Sequence, residues 1–158
     1  MKILVTGGAG AIGSYLTRFL EAQGHQVIII DDMSSGFDFN ISDKASFYKA
    51  DISSKEEVAA VFKEHDFDVI YHLAAFFANQ NSVDHPVRDL EVNGIGTLNV
   101  LDQALKQYKE GKLKHFLFAS SSCVYGMCSG AINETQAFSP ETPYAITKIL
   151  GERYIDFY

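Results

Sequence analysis

Short apolar runs and helix-spaced apolar positions alternate along the whole chain. The stretches ILVT (3–6), VIII (27–30), SFYKA (46–50), DVIYHL (68–73) and HFLFAS (115–120) have the length of strands. Several are apolar at consecutive positions, as strands covered on both faces require. After the first run, Ile12, Leu16, Phe19 and Leu20 recur at helical spacing, which predicts a helix burying that stripe and stopping at Gly24. Ser54 with Glu57 three residues later makes a capping box ahead of Val58, Val61 and Phe62. A longer helical stretch runs from about Pro86 to Lys109, closed by Gly111. Thr142-Pro143 reads as an N-cap followed by proline in the first helical position, opening a last helix that carries YAITKILGERYIDFY.

Strand and helix in strict alternation imply βαβ units with right-handed crossovers and a largely parallel sheet. The expected fold class is α/β: a doubly wound parallel sheet, the Rossmann arrangement. With 158 residues the chain is long enough for one domain with a real core and too short for two ordinary ones, so 1–158 is read as one unit.

Composition narrows the partners. Hydrophobic residues make up 47% and charged residues 21%, and no apolar run approaches the roughly 20 residues that cross a bilayer, so no membrane role is expected. A net charge of −7 argues against nucleic acid, which is held by clustered Lys and Arg. The start MKILVTG enters a strand at once, without a secretory pattern, and a cytoplasmic location is expected. Cys123 and Cys128 fit neither a disulfide framework nor a CxxC pair, the five histidines show no ligand spacing, and metal binding is not expected.

The chemistry begins at TGGAGAIG. Gly7 follows a strand, Gly13 opens a helix, and Asp31 closes the next strand 18 residues after Gly13. In that setting the first glycine allows a tight turn, Gly10 lets backbone approach a pyrophosphate, and Gly13 permits close helix–strand packing, with free N–H groups at the helix start facing the phosphates. A carboxylate ending the second strand accepts from ribose hydroxyls and repels a 2′-phosphate, so NAD is expected over NADP. Asp31 is the better placed for this, with Asp32 as the alternative, and no arginine stands immediately after either.

The spacing Gly7-x-x-Gly10-x-x-Gly13 resembles the glycine motif of the extended short-chain dehydrogenase/reductases, the NAD-dependent epimerase/dehydratase family. Further motifs follow in that family's order: DI at 51–52, HLAA at 72–75, NGIGT at 93–97, SSSCVYG at 120–126 and YAITK at 144–148. The resemblance implies that Ala11, Ile12, Ser34, Ser35 and Gly36 also line the cofactor. It implies that Asp51 and Ile52 contact adenine, that Leu73, Ala74 and Ala75 line the groove after the fourth strand, and that Asn93 supports the active-site backbone.

Tyr144 and Lys148 stand four apart on one predicted helix and share a face. A phenol titrating near ~10 is a poor base at neutral pH, and an ammonium beside it together with a positive nicotinamide ring favours the phenolate. The three serines 120–122 fall at the C-terminal end of a strand, where doubly wound sheets present functional groups. Counting back from Val124, the resemblance selects Ser121 over Ser122 to hold the substrate oxygen beside Tyr144 and Lys148. Dehydratases of the family resemble TDEVYG here, whereas this chain has Ser122-Cys123, which favours an epimerase or simple oxidoreductase.

The resemblance implies a UDP-glucose 4-epimerase-like reaction on a nucleotide sugar, a UDP-linked hexose, with 1–158 expected to be the NAD-binding part of the enzyme. The alternatives are a dehydratase or other sugar oxidoreductase of the family, and a non-catalytic NAD-binding module. Family members dimerise through two long helices, here Pro86–Lys109 and Pro143 onward. The second carries surplus apolar positions (Ile146, Ile149, Leu150, Tyr154, Ile155, Phe157), so a homodimer is expected.

Overall fold

The computed structural model describes residues 1–77 and 79–158. Five strands, β1 (Lys2–Thr6), β2 (Gln26–Asp31), β3 (Ser46–Lys49), β4 (Val69–His72) and β5 (His115–Phe118), form one sheet in the order β3-β2-β1-β4-β5. Every pairing is parallel, and β1 lies between β2 and β4, with Leu4 opposite both Ile28 and Ile70. The doubly wound reading is the observed fold.

Side chains alternate across this sheet with the period of two that strands impose. Leu4, Ile28, Ile30 and Ile70 face one core with Val58, Val61 and Phe62 of α2 (Lys55–Glu64) and Val100 and Ala104 of α5 (Thr97–Lys109). Ile3, Val5, Val27, Ile29 and Val69 face the other, against Leu20 of α1 (Ala11–Ala22). That is why β1 and β2 carry continuous apolar runs.

Helix α1 departs from the expected stripe. Its buried residues are Gly13, Ser14, Thr17 and Leu20, whereas Ile12 is 75% and Phe19 62% exposed. Small side chains bring the helix close to the sheet, and the apolar flank of Ile12, Tyr15 and Phe19 turns outward. Ser54 caps α2 by accepting from the Glu57 N–H at 3.3 Å, but the Glu57 carboxylate accepts from the Asp51 N–H at 2.8 Å, so the capping box is half formed.

The helical stretch after β4 is more broken than its spacing predicts. A polar helix, α3 (Asn79–Asp84), has no apolar period to announce it. Then α4 (Pro86–Asp89) runs through a π-helical stretch, Leu90–Gly96, into α5. After β5 a 3-10 turn spans Ser122–Tyr125, and α6 (Pro143–Phe157) starts as expected, with Thr142 accepting from the Ala145 N–H at 3.2 Å.

Candidate active site

The glycine turn joins β1 to α1 at the point where the sheet reverses its winding. Gly7 has φ +71°, and a Cβ there would lie 2.8 Å from the Ala74 nitrogen. A Cβ on Gly13 would lie 2.2 Å from the Gly7 oxygen, while one on Gly10 would meet nothing nearer than that oxygen at 3.3 Å. The outer two glycines are thus required by packing, and the middle one leaves open space. Gly10 caps α1 with no side-chain cap and no acidic residue in the first turn, which holds Ala11 and Ile12. N–H groups at such a helix start suit an anionic diphosphate.

Asp31 closes β2 and is 8% exposed. Its Oδ2 accepts from the Ala9 N–H and its Oδ1 from the Met33 N–H, each at 2.9 Å, which leaves each oxygen a lone pair for a ribose hydroxyl. Asp32 instead accepts from the Ser34 N–H at 2.8 Å and its hydroxyl at 2.6 Å. Gly36 packs against Asp31, where a Cβ would sit 3.0 Å from Oδ1, and Ser35 is exposed beside it.

Arg88, on α4, is a residue that sequence reasoning missed. Its guanidinium donates to Asp51 Oδ2 at 2.7 Å and to the Ser53 hydroxyl at 3.2 Å, and lies 3.8 Å from Asp32 Oδ2. No arginine follows Asp31 or Asp32 in sequence, yet the fold brings one to the same end of the groove. Burial pushes the Asp51 carboxyl up, but hydrogen bonds from Arg88 and Ser53 outweigh it and hold the group below its ordinary range. Ile52 is 4% exposed with its side chain against Gly96, so it offers the groove main chain rather than an apolar face.

A buried polar chain then links the glycine turn to the far side of the groove. The Thr6 hydroxyl accepts from the Leu73 and Ala74 N–H groups at 3.2 and 3.1 Å, so its own proton goes to His72 Nδ1 at 2.7 Å. His72 Nε2 therefore carries the proton and donates to Thr97 Oγ1 at 3.1 Å, and Thr97 donates to the Asn93 carbonyl at 2.6 Å. Burial above all, and then the charge of Lys148, push His72 down to about 3, which keeps it neutral. Asn93, 2% exposed in the π-helical stretch, accepts from the Phe76 N–H at 2.8 Å and donates to the Phe76 carbonyl at 3.2 Å. It thereby fixes the loop that continues from Leu73, Ala74 and Ala75.

Ser121, Tyr144 and Lys148 gather beyond the end of β5. Ser121 is extended, at φ −151° and ψ 145°, and its side chain caps the 3-10 turn by accepting from the Cys123 N–H at 3.2 Å. Ser120 donates instead to Glu152 of α6, which separates the two serines as strand alternation predicts. Tyr144 and Lys148, 7% and 3% exposed, lie on one face of α6. The Lys148 ammonium donates to the Ala119 carbonyl at 2.8 Å, 4.7 Å from the centre of the Phe118 ring and 5.6 Å from that of Tyr144.

Their electrostatics differ from the expected pairing. Burial pushes the Tyr144 phenol up, the Ser121 hydroxyl pulls it back, and the charges of Cys123 and Asp89 add to the rise. The Lys148 ammonium lies 5.6 Å from the centre of the phenol ring, and on balance the phenol stands above its ordinary value. Burial brings Lys148 itself down to about 8, against the opposing pull of Asp89. Among the described residues no three His, Cys, Asp or Glu side chains are gathered as metal ligands would be, and no helix is long and apolar enough to cross a membrane.

A glycine cradle at the reversal point of a parallel sheet, with an acid ending the next strand, defines the dinucleotide-binding α/β domains. The profile of the NAD dependent epimerase/dehydratase family matches residues 3–158, and the chain belongs to that family. A UDP-glucose 4-epimerase of Mycolicibacterium smegmatis is 39% identical over 100% of this chain and 51% of its own length. Among solved structures, the UDP-glucose 4-epimerase of Thermotoga maritima with UDP-glucose superposes with a TM-score of 0.93 at 37% identity, over 99% of this chain and 50% of that one. The Thermus thermophilus UDP-glucose 4-epimerase in complex with NAD gives 0.94 at 35% identity, over 100% and 50%. The chain spans about half the length of these relatives.

Proposed function

We propose that the chain is the NAD-binding part of a nucleotide-sugar 4-epimerase acting on a UDP-linked hexose. The observation that carries this reading is the convergence of Ser121, Tyr144 and Lys148 at the C-terminal end of β5, across the sheet's reversal point from the Gly7–Gly13 turn. Gly10 and the uncapped start of α1 would hold the diphosphate of NAD, Asp31 its adenosine ribose, and Asp51 with the Ile52 main chain its adenine. Bound there, NAD supplies the one chemistry no side chain here has, reversible uptake of a hydride.

The side chains do the proton work. The Tyr144 phenolate takes the proton of the sugar 4-hydroxyl as C4 is oxidised and returns it when C4 is reduced from the opposite face. Ser121 donates a hydrogen bond to the same oxygen and keeps it in line with the phenol. Lys148 holds positive charge under the ring in a site shut off from water, where it favours the phenolate once a second positive charge arrives. Ser122 and Cys123 supply no carboxylate pair to eliminate water, which supports epimerisation over dehydration.

Exposed apolar side chains support further packing partners for this domain. Leu117 on β5 is 42% exposed, and Ile12, Tyr15 and Phe19 of α1 are 62% exposed or more, so this side of the sheet has apolar surface left to cover. Ile146 and Phe157 on α6, 56% and 84% exposed, support a homodimer face. The test is an assay of the intact protein with UDP-glucose and UDP-galactose. Interconversion without NADH build-up is expected, whereas steady NADH accumulation or a 4-keto-6-deoxy product would reject the epimerase. NAD binding to the 158-residue chain without any sugar turnover by the intact protein would leave the binding-module reading in its place.

A further inference from the structure

Asp89 is a buried acid to which the scheme above gives no task. It closes α4 with 0% exposure, its Oδ1 accepting from Asn93 Nδ2 and its Oδ2 from the Thr147 hydroxyl, each at 2.7 Å. Two neutral donors satisfy its hydrogen bonding but leave a full charge away from water, which is costly without an opposite charge nearby. Asp31, Asp89 and Lys148 are the buried aspartate and lysine side chains among the described residues. Asp31 lies across the molecule at the end of β2. Lys148 adjoins Thr147 on α6, and among the described residues no carboxylate lies within 4.0 Å of its ammonium. The two unneutralised charges thus stand on either side of one threonine.

We propose that Asp89 is a positioning residue for the Tyr144–Lys148 pair, setting the seat of α6 through Thr147 and supplying the counter-charge that keeps Lys148 protonated. The inference rests on the epimerase reading for its consequence in turnover, but not for its electrostatics. The groups that bear on the pair are Lys148 and Tyr144 themselves on α6, Cys123 in the 3-10 turn, neutral His72 at the end of β4, and Asp89. Asp89 raises both Lys148 and Tyr144, against burial in the first and with it in the second. Burial in turn raises Asp89 on balance, and Thr147, Asn93 and the charge of Lys148 offset only part of that rise. Loss of the negative charge should therefore lower the titration of both groups together.

The substitution Asp89→Asn isolates the charge. Its Oδ1 keeps the Asn93 donor, its amide donates to Thr147 Oγ1, and the Thr147 hydroxyl turns to the Tyr144 carbonyl, already 3.0 Å away. Titration of the Lys148 side chain by carbon-13 NMR in the 158-residue chain should move down by about half a unit or more. In the intact protein the acid limb of the kcat profile should move to lower pH in the same variant. Should Asp89→Asn fold poorly, the pair Asp89→Leu with Thr147→Val replaces the buried contact by apolar side chains and must give the same NMR shift. A Lys148 titration unchanged in the folded variant would overturn the proposal, as would a kcat lowered equally at every pH. Absence of turnover in the wild-type protein with the NMR shift intact would count against the epimerase and not against Asp89.

Discussion

Gly13 and the carbonyl of Gly7 approach so closely that the smallest side chain at position 13 would bring a carbon within 2.2 Å of the oxygen. Backbone on both sides makes the contact rigid, so Gly13→Ala should cost about 1–3 kcal/mol of stability, read by urea unfolding. Gly10→Ala meets only a 3.3 Å contact and should fold nearly as well as wild type. Calorimetry should nonetheless show at least about tenfold weaker NAD binding for it, since the added methyl fills the space left for the diphosphate. Normal NAD affinity in Gly10→Ala would place the cofactor elsewhere.

Asp31 should set the preference between cofactors. A 2′-phosphate against a nearly buried carboxylate is expected to weaken NADP binding by about tenfold or more relative to NAD, and Asp31→Ala should narrow that gap. The variant also leaves the Ala9 and Met33 N–H groups without their acceptor, so a loss of about 1–3 kcal/mol in stability should accompany it. Equal binding of the two cofactors by the wild-type chain would refute the assignment.

Arg88 should matter to the adenine end of the groove although it lies far along the sequence from the other residues there. Arg88→Gln frees Asp51 Oδ2 and removes the positive charge facing Asp32. NAD affinity should change by about fivefold or more, with NADP weakened at least as much, because two acids then face the ligand uncompensated. The comparison is made by calorimetry at fixed ionic strength.

Lys148 is held at a cost to the fold. Its value falls from 10.5 to about 8 on burial, so the unfolded chain binds the extra proton between those limits and stability rises with pH across them. Lys148→Met alone should be less stable than wild type near pH 7, because it leaves Asp89 buried without an opposite charge, whereas Lys148→Met combined with Asp89→Asn removes both charges and should be more stable by about 1 kcal/mol or more. The advantage of the double variant should shrink as pH climbs from 8 toward 10.5. Turnover of Lys148→Met in the intact protein should drop by about a hundredfold or more. A double variant less stable than wild type would show that the ammonium contributes to the fold.

His72 should govern acid unfolding. Its folded value of about 3 lies below the ordinary 6.5, so the unfolded state takes up the proton first as pH falls. The stability it contributes is complete above pH 6.5 and declines by up to about 1.4 kcal/mol per unit down to about 3. Urea midpoints measured between pH 7 and 4 should fall accordingly, and His72→Asn should flatten that slope.

The residues at 86–93, PVRDLEVN, mark the boundary of what could be read from the chain itself. As a string they look like a solvated helix face, yet Arg88 reaches across to Asp51 while its neighbour Asp89 is wholly buried. Nothing local separates the two, because their fates depend on Asp51 and Thr147, 37 and 58 residues away. Strands β1 and β2 were legible because two covered faces demand unbroken apolar runs. The glycine turn was legible because its residue types follow from contacts inside one βαβ unit. The flank of α1 was misread because spacing reports that a helix has an apolar stripe, not which neighbour is present to cover it. In α3, NQNSVD lacks any stripe, and the helix is held by local bonds such as the Ser82 hydroxyl to the Asn79 carbonyl.

The π-helical stretch Leu90–Gly96 makes the segment from Pro86 to Lys109 two helices out of phase rather than one. An α-helix turns about 100° per residue, and the widened turn delays everything after it relative to everything before. Asp89 ahead of the widened turn and Asn93 within it point toward α6, and beyond it Val100 and Ala104 point into the sheet. Deleting one residue to regularise the helix would restore ideal hydrogen bonding and force a choice between the two halves. Either the core positions rotate out of the sheet, or Asp89 and Asn93 rotate away from Thr147. Length, not only residue identity, is therefore part of what this segment encodes, and a one-residue deletion here should be far more damaging than any single substitution on its exposed side.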